Sequence, residues 1–146
     1  MFKIYLAGAM SGLTFAEYNN WRFNLQNEFK EQYYWGKYKL TVINPVDYYD
    51  FSKPGDTIEE SMEFDLWQVR TSDLVIVKLC EQNSIGTAME LCLAKELHKP
   101  IIGFYDSGNI DNVHPWLKEC CNKIIDVTNN LDHTTLVRFV IDYYLL

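Results

Sequence analysis

A strand-helix-strand unit lies at the centre of the chain, where residues 73–105 read DLVIVKLCEQNSIGTAMELCLAKELHKPIIGFY. The segment 73–79 is almost wholly apolar, as expected for a central strand of a parallel sheet. Gly86 leads into a helix that ends near Lys99, and the segment 100–105 forms the next strand. A helix between two such strands predicts a parallel crossover.

The same alternation of strands and helices extends to both ends of the sequence. Further strands are predicted at 2–7, 40–43 and 123–127. Further helices are predicted from Thr14 (capping box with Glu17), from Thr57 (capping box with Glu60) to about Thr71, as a short piece from Val113, and from about His133. We therefore expect one α/β domain over residues 1–146, a five-stranded parallel sheet of flavodoxin- or Rossmann-like order 2-1-3-4-5 with helices on both faces.

Charge and cysteine content narrow the function classes. The formal net charge is -7 and no basic stripe interrupts it, so we expect no nucleic-acid polymer as a partner. The four cysteines lack metal-site spacing, and Cys80 and Cys92 are predicted to be buried thiols in a reducing compartment. Neither a signal peptide nor a membrane span is predicted, which favours the cytoplasm and no membrane partner. No metal or cofactor is implied.

The predicted strand order places a ligand crevice between the first and third strands, at their carboxyl ends. Two loops meet there: GAMSG at residues 8–12, and residues 80–86, which lead into the helix that carries Thr87 and Glu90. Small residues allow close approach of the backbone to a ligand, and a helix N-terminus offers free N–H groups to an anion.

Two carboxylates occupy positions where apolar residues are expected. Asp65 shares a helical face with Ile58, Met62 and Val69, and Glu90 lies in the nearly all-apolar helix TAMELCLAKEL. Burying a carboxylate costs several kcal/mol unless it is paired or neutralised. Asp65 could instead pair with Arg22, and Glu90 could merely complement its helix dipole, at ~0.5 kcal/mol. Their joint placement at the switch point favours an active site.

A pair of carboxylates without metal ligands or a nucleophilic triad suits glycoside chemistry. One carboxylate attacks the anomeric carbon, and an acid protonates the leaving group. The adjacent negative charge also stabilises an oxocarbenium-like transition state.

Three segments resemble the nucleoside 2-deoxyribosyltransferases and the related deoxynucleoside 5′-monophosphate N-glycosidases. They are IYLAGAMSG (residues 4–12), EFDLWQVRTSDLVIV (63–77) and SIGTAMELCLAKELHKP (84–100). The spacing of Asp65, Asp73 and Glu90 is also similar to that of the family, and the resemblance covers nearly the whole chain.

The resemblance implies a role for each matching residue. Glu90 would be the nucleophile that forms a glycosyl ester, Asp65 would contact and protonate the leaving base, and Tyr5 would hold Glu90 through its hydroxyl. The substrate-binding residues would be Gly8 and Met10 in the first loop, Ser84 and Gly86 at the 5′ end of the sugar, and His114, which occupies the place of a polar residue that a neighbouring subunit provides. Asp73 would orient structure locally, and His114 could equally be a helix-start residue beside Pro115.

Several activities remain open at this level. The first is transfer of a 2-deoxyribosyl group between bases, and the second is hydrolysis of a nucleoside 5′-monophosphate. Ser84 replaces the acidic residue common in the transferases and suits a phosphate, whereas the first loop lacks the arginine of the hydrolases. A third is a catalytically silent nucleotide-binding module. Cytokinin-activating phosphoribohydrolases and TIR-like NAD hydrolases fit the GTAMEL segment less well.

The resemblance also implies a homodimer or higher homo-oligomer with shared active sites. The partner ligand would be a small-molecule nucleoside or nucleotide. The chain ends in Tyr143, Tyr144, Leu145 and Leu146, which would either complete the pocket or belong to the core.

Overall fold

The computed structural model describes residues 1–48, 58–129 and 133–146, with backbone alone at 58 and 59. The strands are β1 (Phe2–Ala7), β2 (Leu40–Ile43), β3 (Leu74–Lys78), β4 (Ile101–Tyr105) and β5 (Lys123–Asp126). The helices are α1 (Phe15–Gln32), α2 (Ile58–Thr71), α3 (Ile85–Glu96), α4 (Pro115–Cys120) and α5 (Thr134–Val140), the last continued by a π-helical turn, Ile141–Leu145. Short 3₁₀ turns occupy Pro45–Tyr48 and Ile110–Asn112.

The strands form one parallel sheet in the order β2-β1-β3-β4-β5, which confirms the predicted fold class. The strand order reverses beside β1, which pairs with β2 on one side and β3 on the other. In this register Tyr5 lies opposite both Ile43 and Val75, so its side chain belongs to the middle of the sheet.

Two hydrophobic layers cover the sheet. On one face α1 and α5 pack over alternate strand residues, including Ile4, Leu6 and Ile76. On the other face α2, α3 and α4 cover Tyr5, Val77 and the other strand residues whose side chains point to that side. The pleat of β1 therefore sends Leu6 toward α1 and Tyr5 toward α2 and α3.

Helix α1 starts as predicted and contains a buried arginine. Thr14 accepts a hydrogen bond from the Glu17 N–H, and the Glu17 carboxylate accepts one from the Thr14 N–H, which completes the capping box. Arg22 is fully buried, and its guanidinium donates to the carbonyls of Leu6 (3.4 Å), Gly8 (2.9 Å) and Tyr18. The hydrogen bonds of Arg22 thus connect α1 to the end of β1.

Some local predictions are wrong. The helical spacing of Phe15 with Tyr18 and Leu25 predicts a place in the apolar stripe of α1, but Phe15 is 60% exposed because it is the first residue of the helix. Cys92, predicted to be buried, is exposed because it lies on the outer side of α3. The short helix begins at Pro115 rather than Val113, after a 3₁₀ turn. Thr57 of the second capping box and residues 49–55 of the preceding loop lie outside the described residues.

Across the described residues, none of the helices combines the length and the apolarity that crossing a membrane requires.

We expect Arg22→Met to lower the free energy of unfolding by about 2–4 kcal/mol. The substitution keeps most of the side-chain volume but leaves buried carbonyls of Leu6 and Gly8 without a donor, and each such acceptor costs about 1–3 kcal/mol. Urea unfolding measures the change. The matched control is Arg138→Met, whose arginine is 51% exposed and pairs with Asp142 one helical turn away. This control should change stability by less than about 1 kcal/mol, and an equal effect of both variants would contradict the role of Arg22.

Candidate active site

The loops that follow β1 and β3 meet at the carboxyl edge of the sheet. Gln82 Nε2 donates to the carbonyl of Ser11 across 3.2 Å, which joins the two loops. Gly12 has a φ of +80°, a conformation that L residues rarely adopt, and the Gln82 side chain packs against it. The two loops that flank the predicted switch point are therefore joined directly.

Glu90 and Tyr5 form a buried hydrogen-bonded pair. Glu90 is 8% exposed and lies on the face of α3 turned toward the sheet. The Tyr5 hydroxyl of β1 donates to Glu90 Oε2, the contact that the family resemblance implies. The bond occupies one carboxylate oxygen of Glu90, and the other is not bonded to any group within the described residues.

Asp65 lies on α2, which packs beside α3. One of its carboxylate oxygens, Oδ1, is buried. The negative charge of Asp65 acts on both members of the pair and raises the pKa values of Glu90 and Tyr5. Val69, one turn later, is fully buried, whereas Met62, one turn earlier, is 45% exposed. The apolar stripe predicted around Asp65 therefore holds for the second half of α2.

The environment raises the pKa of the Glu90 carboxyl from 4.5 to about 7. Burial is the largest cause, and the negative charge of Asp65 adds to it. The hydrogen bond from Tyr5 and the positive charge of Arg22 act in the opposite direction. Glu90 is therefore poised to hold or lose a proton near neutral pH.

Tyr5 and Arg22 have complementary electrostatic roles around Glu90. Burial and the nearby carboxylates raise the pKa of the Tyr5 hydroxyl well above 10, so it stays protonated as a donor. Burial lowers the pKa of the Arg22 guanidinium to about 10, which leaves it cationic at neutral pH. Arg22 stacks on the Trp21 ring at 4.5 Å. It interacts electrostatically with Asp65, whereas its hydrogen bonds are donated to backbone carbonyls.

The start of α3 combines a capping hydroxyl with an open backbone. Ser84 Oγ accepts from the Thr87 N–H at 3.1 Å and is only partly buried. A Cβ at Gly86 would meet nothing within 4 Å, so the first turn is open on that side. The first turn of α3 has no acidic residue. An anion could approach this helix terminus without repulsion from the helix itself.

His114 lies across a shallow groove from Ser84. The groove has a volume of about 260 Å³ and is lined by Asn83, Ser84, Ile85, Ala88, His114, Trp116 and Leu117. His114 is the N-cap of α4, with Nδ1 accepting from the Trp116 N–H at 3.1 Å. Ile85 and Trp116 beside it are 83% and 79% exposed. The structure thus supports the helix-start reading of His114, and its binding role stays a prediction.

Gly8 and Met10 belong to the first loop, but packing alone accounts for the glycine. A Cβ at Gly8 would come within 2.8 Å of the Trp21 ring and 3.3 Å of Arg22 Nη2. Met10 is partly buried and its carbonyl accepts from the Leu13 N–H at 3.1 Å. Their contacts with a base remain predictions. Asp73 accepts from the Lys3 N–H at 2.8 Å, at the end of the sheet away from Glu90, which agrees with a local structural role.

Two buried polar residues of the site region were not predicted. Thr87, one turn before Glu90, is 4% exposed, and Gln68, one turn after Asp65, is 5% exposed. Thr87 Oγ1 and Gln68 Oε1 are buried, and neither has a hydrogen-bond partner within the described residues. The sequence signal for Thr87 is its helical spacing from Glu90, Leu91 and Ala94. In the part of the chain that the structure describes, no cluster of three or more His, Cys, Asp or Glu residues could hold a metal.

The chain belongs to the family described as a domain of unknown function, DUF4406, whose model matches residues 2–103. The matched region contains Tyr5, Asp65 and Glu90. No protein among curated sequences matches significantly.

Solved structures share the fold over nearly the whole chain. A conserved protein from Enterococcus faecalis V583 has a TM-score of 0.67 at 15% identity, with 94% of this chain and 99% of that chain covered. A CMP N-glycosidase from Clostridium botulinum, BcmB, has a TM-score of 0.62 at 17% identity, with coverages of 94% and 98%. A 3-dehydroquinate dehydratase-like protein from Bifidobacterium longum has a TM-score of 0.53 at 14% identity, with 97% of both chains covered. At these identities the likeness establishes the fold.

We expect Glu90→Gln to stabilise the protein increasingly as the pH rises. The pKa of Glu90 is raised from 4.5 to about 7, so the stability that its protonated form contributes is present below about pH 4.5 and is lost as the pH rises through about 7. The neutral glutamine has no such loss. Chemical denaturation at about pH 5 and about pH 8 should show the variant gaining on the order of 2 kcal/mol relative to wild type.

Glu96→Gln, on the exposed side of the same helix, is the matched control for this change. A stability difference between Glu90→Gln and wild type that stays constant across the pH range would contradict the raised pKa.

Proposed function

We propose that this member of the DUF4406 family cleaves the N-glycosidic bond of a nucleoside or nucleotide through a glycosyl ester with Glu90, and passes the sugar to a second base. The observation that supports this most strongly is the buried Glu90, hydrogen-bonded by Tyr5 and electrostatically coupled to Asp65 at the switch point of the sheet. The fold shared with a CMP N-glycosidase is in accord with it.

The first step forms the ester. An oxygen of ionised Glu90 attacks C1′ as the bond from C1′ to the base nitrogen breaks, and the bonding electrons move to the base. Asp65 in its acid form gives the base a proton. The negative charge of Asp65 raises the pKa of Glu90, and two neighbouring carboxyl groups that share a single proton provide one nucleophile and one acid.

Tyr5 keeps the nucleophile in place during this step. Its hydroxyl donates to Oε2, which orients the carboxylate and leaves the other oxygen for attack. In the second step an acceptor base nitrogen attacks C1′, Glu90 leaves as a carboxylate, and the acceptor proton returns to Asp65.

Hydrolysis of a nucleoside 5′-monophosphate is the second candidate, with water in place of the acceptor base. The start of α3 favours it, because Ser84 offers a partly exposed hydroxyl, Gly86 is open, and the first turn has no carboxylate that would repel a phosphate.

The test is incubation of the purified protein with deoxynucleosides, ribonucleosides and their 5′-monophosphates, each with and without a second free base, with products separated by chromatography. A new nucleoside that forms only with acceptor supports the transferase. Free base and sugar phosphate formed equally without acceptor support the hydrolase. Substrate binding without any product would leave a nucleotide-binding module and contradict both activities.

We expect Glu90→Ala to lower turnover at least about 10³-fold while the protein remains folded, because the nucleophile is lost. Base release measured by chromatography and thermal unfolding of the same sample check both parts. Glu96→Ala, on the exposed side of α3, should retain wild-type activity. Turnover by Glu90→Ala near the wild-type rate would remove Glu90 from the mechanism.

We expect Asp65→Asn to lower kcat about 10²-fold while KM changes little, because the acid acts as charge develops on the leaving base. Steady-state kinetics give the two constants separately, and Glu63→Gln on the exposed side of α2 is the matched control. A rise in KM at constant kcat would make Asp65 a binding residue instead.

A further inference from the structure

The hydroxyl of Thr87 is buried one helical turn before Glu90 and has no hydrogen-bond partner in the described part of the chain. Thr87 is 4% exposed, and its Oγ1 has no hydrogen-bond partner within the described residues. A buried hydroxyl without a partner costs about 1–3 kcal/mol, and buried polar groups of native proteins rarely stay unpaired. A valine of the same shape would fill the space without this cost, so packing does not explain the threonine.

The local structure of α3 does not explain the hydroxyl either. Threonine in a helix commonly donates to a carbonyl three or four residues earlier, but Thr87 Oγ1 makes no such bond. Capping of the helix is performed by Ser84, whose side chain accepts from the Thr87 N–H. The backbone N–H of Thr87 is therefore bonded, whereas its side-chain hydroxyl has no partner within the described residues.

The position of Thr87 relative to Glu90 places it on the side from which a substrate would enter. Both belong to the buried face of α3, and three residues advance about 4.5 Å along a helix. Thr87 is nearer to the helix N-terminus, so it lies between Glu90 and the carboxyl edge of the sheet, from which ligands of this fold class enter. Glu90 is itself 8% exposed, so a substrate that reaches the nucleophile has entered the same dry interior.

A pentose matches this spacing. A furanose with its hydroxyls is about as wide as one helical turn is long, about 5.4 Å. When Glu90 meets C1′, a ring hydroxyl on the side of the sheet edge comes within reach of Thr87. A hydroxyl can both donate to and accept from that group.

We propose that Thr87 Oγ1 binds a ring hydroxyl, at the 2′ or 3′ position, of the sugar whose anomeric carbon Glu90 attacks. Thr87 is then a substrate-binding residue that selects the pentose rather than the base. This inference rests on the proposed function, since it takes the ligand of Glu90 to be a nucleoside or nucleotide.

The experiment compares wild type, Thr87→Val and Thr87→Ser, with Thr41→Val on the distant edge strand β2 as the matched control. Each is assayed with the 5′-monophosphate or nucleoside that wild type cleaves fastest and with its 2′-deoxy and 3′-deoxy forms. Thr87→Val should lower kcat/KM about tenfold to a hundredfold for the sugar with the partner hydroxyl and less than about twofold for the form that lacks it. Thr87→Ser should restore most of the activity, and Thr41→Val should behave as wild type.

Two further readouts separate this role from a structural one. The melting temperature of Thr87→Val should equal or exceed that of wild type, because the substitution removes an unpaired buried hydroxyl. The pH profile of kcat should not move, because Thr87 does not bind Glu90. An equal loss on all three sugars, a lower melting temperature or a displaced pH profile would each overturn the proposal.

If wild type releases no base from any substrate, the proposed function has failed, whereas the role of Thr87 in binding can still be tested. In that case calorimetric titration with CMP, 2′-deoxy-CMP and 3′-deoxy-CMP replaces kinetics. Weaker binding by Thr87→Val for the sugars that keep the partner hydroxyl, and for those alone, still supports the contact. Equal binding by both proteins, or no binding by wild type, overturns it.

Discussion

A carboxylate removed from water next to a second carboxylate is costly, and the centre of this molecule is built around that constraint. Glu90 lies 8% exposed on α3, within the field of Asp65 on α2. The Tyr5 hydroxyl compensates through a hydrogen bond and the Arg22 guanidinium through its charge. Because these groups come from a central strand and three helices, the pair forms only when both faces of the sheet are packed.

The packing on the far side of the sheet supports the same centre. Arg22 is fully buried under the end of β1 and donates to the carbonyls of Leu6 and Gly8. Trp21 and Arg22 leave no space for a Cβ at Gly8, so the glycine in the first loop serves the packing of α1. Helix α1 thus packs against the first loop, which would face a base, and also provides the positive charge that partly offsets Glu90.

The sequence allowed prediction of the sheet order and of the unusual position of Glu90, because both follow from regular hydrophobic patterns. It did not reveal the bonding of Arg22, because the acceptors are backbone carbonyls whose directions depend on the folded loop. The prediction that Cys92 is buried was wrong, because α3 is apolar almost all round while only one side faces the sheet. Ile85 and Met89 are exposed for the same reason. The sequence placed Thr87 on the helix of Glu90 but gave its hydroxyl no role, because a threonine in the first turn of a helix is ordinary; only the described structure shows that the hydroxyl is buried without a partner.

The central claim is that Glu90 becomes covalently bonded to a sugar, and mass spectrometry of the trapped ester tests it most directly. A 2′-fluoro-arabinosyl nucleoside or its 5′-monophosphate slows both steps by destabilising the oxocarbenium-like transition state, so the ester accumulates. The account predicts a mass increase equal to the fluorosugar, located by proteolysis to the peptide that contains Glu90 and absent from Glu90→Ala. Base release without any adduct, or an adduct on another residue, would contradict it.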